Sequence, residues 1–443
     1  MIGPFAAISG MFSNPSSLMQ FDQPAVSINS DQIRSRAQQD QRYSPLGYYS
    51  NFSLFMDGFI SVIGTPAYDT INHVPSTAAD TVQRPFDLLG TDWERTAPVR
   101  TDVQAFAAVP FTIGEMKFSF GAGATRYADL SYYFRNNNVL SPSVLAPEAF
   151  VRTRPINDAD SSSRAVQWYQ HTLQRDGSIR SYGFSAAAAL SGEFSAGISV
   201  QLLDGSSDDR EQRWERGRLR FYQNYFRAES VYYRVDRNGT SEYSGTEVTL
   251  SAEWHIRAVT FGASVNLPTL IERSYSYAET VDTTGTSRTT RGNGKDKISL
   301  PARGRAGLSI RLAEHLDVAL EYAYHPYAEA EYTPSSGPKH HPWLSSGDIM
   351  FGARYTIASY LVLRAGAQER SEVFEVTGNP LPGDVVNSSV YSLGAGFSMM
   401  GAAIDVGYQY QKMKYIDAWV GALSINTVTA HTVNASLTYG IPW

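Results

Sequence analysis

The nine residues LDVALEYAY, 316 to 324, alternate without a break. Leu316, Val318, Leu320, Tyr322 and Tyr324 share one face of an extended chain, and Asp317, Ala319, Glu321 and Ala323 share the other. Side chains of a strand point to opposite faces in turn, so the stretch predicts a β-strand with one apolar and one polar side. VTFGASVNL (259 to 267) and FSAGISVQL (194 to 202) repeat the rhythm. Followed along the chain, it places strands at 23–34, 101–111, 116–126, 179–191, 194–203, 244–254, 258–267, 299–312, 315–327, 347–357, 360–371, 389–399, 402–412 and 425–441. Fourteen is an even number, as a bacterial barrel with both ends on one side requires.

The connections supply an independent sign. Short ones fall at Thr112 to Glu115, Gly192-Glu193, His255 to Arg257, Ala313-Glu314, Ala358-Ser359 and Met400-Gly401. Between them come long ones: 35–100, 127–178, 204–243, 268–298, 328–346, 372–388 and 413–424. Strict alternation of short and long is the pattern of outer-membrane barrels, with short periplasmic turns and long extracellular loops. A soluble sandwich has no reason to keep its long connections on one side. The expected fold is therefore all-β, a fourteen-stranded antiparallel transmembrane barrel in a bacterial outer membrane. At the far end Ala435, Leu437, Tyr439, Ile441 and Trp443 form one alternating face that closes on an aromatic residue. That ending resembles the signal read by the barrel assembly machinery, which makes the machinery an expected partner.

Composition agrees and narrows the function. Charged residues are 18% of the 443, below the roughly 25% of soluble domains, which suits a large sheet with one greasy face. The net charge of −6 is spread with no basic block, so a nucleic-acid partner held through phosphates is not expected. No run of 18 uncharged apolar residues offers a helical membrane span. With no cysteine in the chain, disulfide scaffolds and thiolate metal sites are excluded. His340-His341 lacks further ligands at a recognised spacing, and no nucleophile elbow, zinc-protease or P-loop motif occurs, so neither a metal or cofactor nor an enzyme activity is expected.

If the apolar faces meet lipid, the other faces line a lumen that carries both signs of charge. Arg303, Arg305, Arg311, Arg354 and Arg364 would point inward, as would Glu247, Glu253, Asp317, Glu321 and Asp405. Ionisable groups at membrane depth are normally paired or hydrated, so mutual bracing is one reading. The other is a ligand site in which Arg303, Arg305 or Arg354 holds a carboxylate. Two long connections are rich in apolar residues: 43–64, and 208–230, which could form an amphipathic helix with Trp214, Phe221, Tyr222, Tyr225 and Phe226 to one side. They read as loop packing over the barrel mouth or as an outward groove that catches hydrophobic molecules.

The chain before the first strand is an apolar lead-in, MIGPFAAISGMF, running into Asn14-Pro15-Ser16, Leu18, Phe21-Asp22 and Pro24. A lumen of fourteen strands is wide enough for water, so residues 1–22 are expected inside it, ahead of a barrel over 23–443. Asn before Pro initiates turns, and the Asn14 amide should fix this one by hydrogen bonds. Asn14-Pro15-Ser16 resembles the Asn-Pro-Ala hatch motif of the FadL family, outer-membrane transporters of long-chain fatty acids and other hydrophobic compounds, with Ser16 in place of the usual Ala. LPARGRAGLSIRL (300 to 312) and LDVALEYAYHPY resemble the family's strands in style. The resemblance implies passive uptake of fatty acids or hydrocarbons: capture at the extracellular loops, movement of a hatch, and lateral exit into the outer-membrane lipids. Phe5, Phe12 and Met19 would then offer the apolar part of the ligand site, with Arg303, Arg305 and Arg354 for an acid head group. An alternative is a barrel of the same form that serves as a protein-binding platform, as a secretion shuttle or surface anchor.

Overall fold

A computed structural model describes residues 7–43, 92–141, 164–221, 226–229, 232–374, 386–419 and 422–442. Among these, fourteen strands form one closed antiparallel wall. In chain order they are β1 (Ala25–Tyr43), β2 (Arg100–Ile113), β3 (Met116–Asp129), β4 (Arg164–Ala189), β5 (Phe194–Phe221), β6 (Tyr233–Ile256) and β7 (Val259–Asn266). The second half is β8 (Arg303–Ala313), β9 (Leu316–His325), β10 (Ser346–Ala358), β11 (Leu361–Ser371), β12 (Asn387–Met399), β13 (Ala402–Trp419) and β14 (Ala422–Gly440). The ring shuts on β1. It pairs with β14 from Ala25↔Gly440 to Tyr43↔Ala422 and with β2 from Ala25↔Ala108 to Ile33↔Arg100.

The pleat sorts the side chains as the alternation predicts. Outward stand Ile28, Phe120, Phe184, Leu202, Phe351 and Leu393, each more than half exposed, in a belt that runs round the wall. A contiguous apolar surface of this extent is what a lipid-facing barrel presents. Both chain ends of the wall and the short turns lie at one end of the barrel. Three of these turns use the left-handed backbone region: Gly114 at φ 63°, Arg257 at 51°, and the Met400-Gly401 pair at 52° and 82°. Left-handed turns match the twist of the flanking strands, which explains how connections of two residues suffice.

The other end departs from expectation. Stretches read as loops, 127–178 and 204–243, are largely continuations of strands: β4, β5 and β6 stay paired through Arg164↔Phe221 and Glu215↔Tyr233. The amphipathic helix that 208–230 could form is not seen over Asp208 to Phe221, which belong to β5, while 222–225 and 230 lie outside the described residues. As far as Glu215, partners on both sides satisfy the backbone, and charges meet across the ladder, as at Arg175–Asp209. In place of a loop over 268–298 stands a hairpin, Thr269–Thr283 and Thr286–Leu300, which prolongs β7 and β8. Asn266 pairs with Thr249 but Leu270 with Thr246, so residues 267–269 oppose only 247–248, a β-bulge. In the same register Pro268 faces Pro301, and neither can donate to the ladder. That is why the strand expected over 299–312 breaks after Leu300.

Residues 43–64 lie outside the described residues from 44 onward, as do Phe5 and Trp443. Leu437, Tyr439 and Ile441 do face outward, as the terminal alternation predicts.

The lumenal face beneath the N-terminal segment is made of small residues, and one glycine there is decisive. A Cβ added at Gly197 would stand 2.5 Å from the Ser16 nitrogen. Gly197→Val is therefore expected to drive the segment off the wall while the barrel still forms. Rapid proteolysis ahead of residue 25 in a barrel that keeps its heat-dependent gel migration would show it; an unchanged cleavage rate would contradict the close approach.

Candidate functional site in the barrel lumen

Two short turns of 3-10 helix, Ile8–Phe12 and Pro15–Gln20, carry the N-terminal segment across the lumenal faces of the first six strands. Gly10, Asn14 and Pro15 keep it from a longer helix, and Pro15 sits where a helix start tolerates it. Ile8, Met11, Phe12 and Leu18 are buried against Phe106, Ala108 and Ala187, with Met19 and Phe21 packed on the margin. Phe12 and Phe106 rings stand 6.1 Å apart, tilted. Of the apolar residues named from sequence, Phe12 and Met19 thus meet on this surface.

The backbone of the segment is held by side chains of the wall. Ser185 Oγ donates to Met11 O at 2.9 Å and Ser199 Oγ to Phe12 O at 3.1 Å. The Ser16 amide donates to Ser251 Oγ at 2.7 Å. Asn14 works in both directions: its Nδ2 donates to Glu253 Oε1 at 2.6 Å, and its Oδ1 accepts from Ser16 Oγ at 2.7 Å. Ser17 Oγ closes the turn on Asn14 O at 2.7 Å. Sequence reasoning places Glu253 inward, but 239 residues separate it from Asn14 and no local signal links them. Ser185, Ser199 and Ser251 carry no local mark either, apart from lying on the polar face of their strands.

Elsewhere along the lumenal face the charges pair. Arg303 is 8% exposed and forms an ion pair with Glu247, which is 3% exposed. Glu247 also accepts from Tyr127 Oη at 2.8 Å and Asn266 Nδ2 at 2.7 Å. Arg305 Nε stands 3.2 Å from Glu321, Arg311 Nε 3.3 Å from Asp317, and Arg364 bonds Asp405. Arg354 lies in register between Asp317 and Arg364. Arg303 and Arg305 thus stand close together and already hold wall carboxylates, whereas Arg354 lies with Arg311, Asp317 and Arg364 nearer the short turns, so the fold does not bring the three candidate arginines to one place. Bracing by paired charges describes them, because a buried ion must be neutralised by a partner.

Farther from the short turns, Ile179, Leu203, Tyr243 and Ile271 form a second apolar cluster on the lumenal side, with Tyr127, Leu130, Ile298 and Leu300 against it. Beyond it, where the strands rise past the apolar belt, a cavity of about 520 Å³ is lined by Arg273, Asp209, Asp296, Tyr275, Tyr277 and Tyr332 among others. Arg273 spans Asp209 at 3.2 Å and Asp296 at 3.1 Å and covers the Tyr275 ring. Near the rim, the His171 hydrogen bond, with help from Arg213 and Arg237, holds the Glu211 carboxyl down at about 2. His340 and His341 bond through the backbone of Tyr332 and to Ala330 O.

The chain matches no known sequence-family profile and no curated protein. Solved structures share its fold. A FadL homologue of Pseudomonas aeruginosa is 13% identical, with 98% of this chain and 94% of that one covered at a TM-score of 0.60. The toluene transporter TodX of Pseudomonas putida is 10% identical, with 99% and 95% covered at 0.59. The toluene transporter TbuX of Ralstonia pickettii is 12% identical, with 98% and 94% covered at 0.51.

The Arg303–Glu247 pair yields a test of the bracing. Arg303→Ala would leave Glu247 buried without its cation, at a cost of about 3 to 5 kcal/mol. Arg303→Met with Glu247→Gln should cost clearly less, as read from urea midpoints of the barrel in detergent. Equal losses would mean that the charges are not energetically paired.

Proposed function

We propose that this chain is a bacterial outer-membrane channel for the passive uptake of hydrophobic molecules, among them long-chain fatty acids and hydrocarbons. The observation that carries the reading is the N-terminal segment: an apolar body laid across six of the fourteen wall strands and held by hydrogen bonds that can be exchanged for water. Residues 1–22 are then a hatch, and residues 23–443 the barrel around it. The toluene transporters and the FadL homologue that share the fold support the substrate class.

With the short turns facing the periplasm, a molecule enters at the strand-built mouth and meets the Tyr243 and Ile271 cluster before it reaches the hatch. Burying its tail gains roughly 0.8 kcal/mol per methylene, so eight methylenes contribute about 6 kcal/mol before ordering costs. A head group adds only about 1.5 to 3 kcal/mol through a charge-assisted bond. For an acid that bond has to be taken from Glu247 or Glu321, which hold Arg303 and Arg305. The tail sets affinity, and the arginines act on the acid alone. The hatch then moves from the wall, with Phe12 and Met19 in contact with the passing tail, and the molecule leaves sideways into the outer-membrane lipid.

Proteoliposome uptake of a labelled long-chain acid and of an aromatic hydrocarbon of matched size tests the proposal. Both are expected to enter faster than into empty liposomes. Rapid entry of small hydrophilic solutes without transfer of either hydrophobic probe would make the protein a porin and overturn the reading.

A further inference from the structure

Glu253 stands out among the wall residues beneath the N-terminal segment. Its side chain is wholly out of solvent, and its two oxygens are divided between two residues of the segment. Asn14 Nδ2 donates to Oε1 at 2.6 Å, and Gln20 Nε2 donates to Oε2 at 3.1 Å. His255 Nε2, on the same strand toward the short-turn end, stands 3.5 Å from Oε2. Other buried links between segment and wall among the described residues are to neutral hydroxyls: those of Ser185, Ser199 and Ser251.

This difference in charge has a physical consequence. A hydrogen bond to an ionised acceptor is roughly twice as strong as a neutral one. A carboxylate stripped of its donors in a dry site is also left uncompensated, so the cost of separation falls on both sides of the contact. The serines merely exchange one weak partner for water when the segment leaves. Left with only His255 beside it at 3.5 Å, Glu253 must recover water or draw that ring closer in the same step.

We propose that Glu253 is the positioning residue that keeps the segment docked, a catch whose anionic oxygens clamp Asn14 and Gln20 on either side of the Asn14-Pro15-Ser16 turn. Departure of the segment is coupled to hydration of this one carboxylate. The inference rests on the reading of residues 1–22 as a hatch, but the contact itself can be tested apart from transport.

The chain contains no cysteine, so Ser17→Cys supplies a single reporter at a position that is 1% exposed. Its reaction rate with a membrane-impermeant maleimide, in the full chain reconstituted into liposomes, reads how often the segment leaves the wall. Added to that background, Asn14→Asp sets two carboxylates face to face and should raise labelling by about tenfold to a hundredfold, the loss of one charge-assisted bond. Combining Asn14→Asp with Glu253→Gln makes donor and acceptor change sides, and labelling should fall back toward the parent rate. Glu253→Gln alone is nearly isosteric and should lie between the two. Heat-dependent gel migration checks that each barrel has formed. Labelling of Asn14→Asp at the parent rate, or a double variant as fast as that single one, would overturn the catch. Labelling that rises while uptake of hydrophobic probes stays unchanged would support the catch and count against the transport reading alone.

Discussion

Everything in this molecule depends on β1 being paired on both edges, with β14 along its whole length and with β2 along its lower half. A wall that turns Leu, Phe and Ile outward into lipid has no water there for backbone N–H and C=O groups, and only a closed ladder satisfies them all. Closure then dictates the inside. Period two sends every second residue of each strand into the lumen, so the interior inherits the polar half of the alternation. Its acids and bases pair across neighbouring strands because their registers are fixed by the same ladder.

Within that polar interior the N-terminal segment has a specific seat. Serines and glycines on β3 to β6 leave room for a backbone to approach a backbone, and among the described residues Glu253 supplies the buried charge at the contact. Apolar contact holds Ile8, Met11, Phe12 and Leu18 in place without direction, whereas the hydrogen bonds of Asn14 and Ser16 set position and angle. A body fastened in this way can be firmly seated and still leave by a small number of discrete steps. That combination is what passage past it demands.

Much of this was legible in the alternation. LDVALEYAY declares both faces of β9, and the spacing of short turns foretells which end carries the long connections. Asn14-Pro15 was also legible as a turn, because its conformational preference is local. What could not be read was whatever depends on pairs distant in the chain. Nothing near Glu253 points to Asn14, and nothing near Arg303 points to Glu247, since those contacts follow from register and closure. The misreading at 208–230 has a different cause. Trp214, Phe221, Tyr222, Tyr225 and Phe226 are spaced so that a helix could gather them on one side, but β4 runs beside Asp208 to Phe221 and β6 beside the stretch as far as Glu215, and their open ladders outweigh that local tendency. Likewise Pro268 and Pro301 each look like isolated breakers, and only the shared register of the two strands sets them face to face.

The central claim is that hydrophobic molecules pass only when the N-terminal segment leaves the wall. The Ser16 and Ser251 hydroxyls are 3.0 Å apart, and the chain has no competing thiol. Uptake of a labelled fatty acid or hydrocarbon by Ser16→Cys, Ser251→Cys protein under oxidising and then reducing conditions measures that claim directly. The account predicts that the disulfide forms readily, that uptake stops, and that reductant restores it. Uptake that continues at the full rate through the cross-linked protein would contradict the account, because the molecules would then be travelling by a route that the segment does not control.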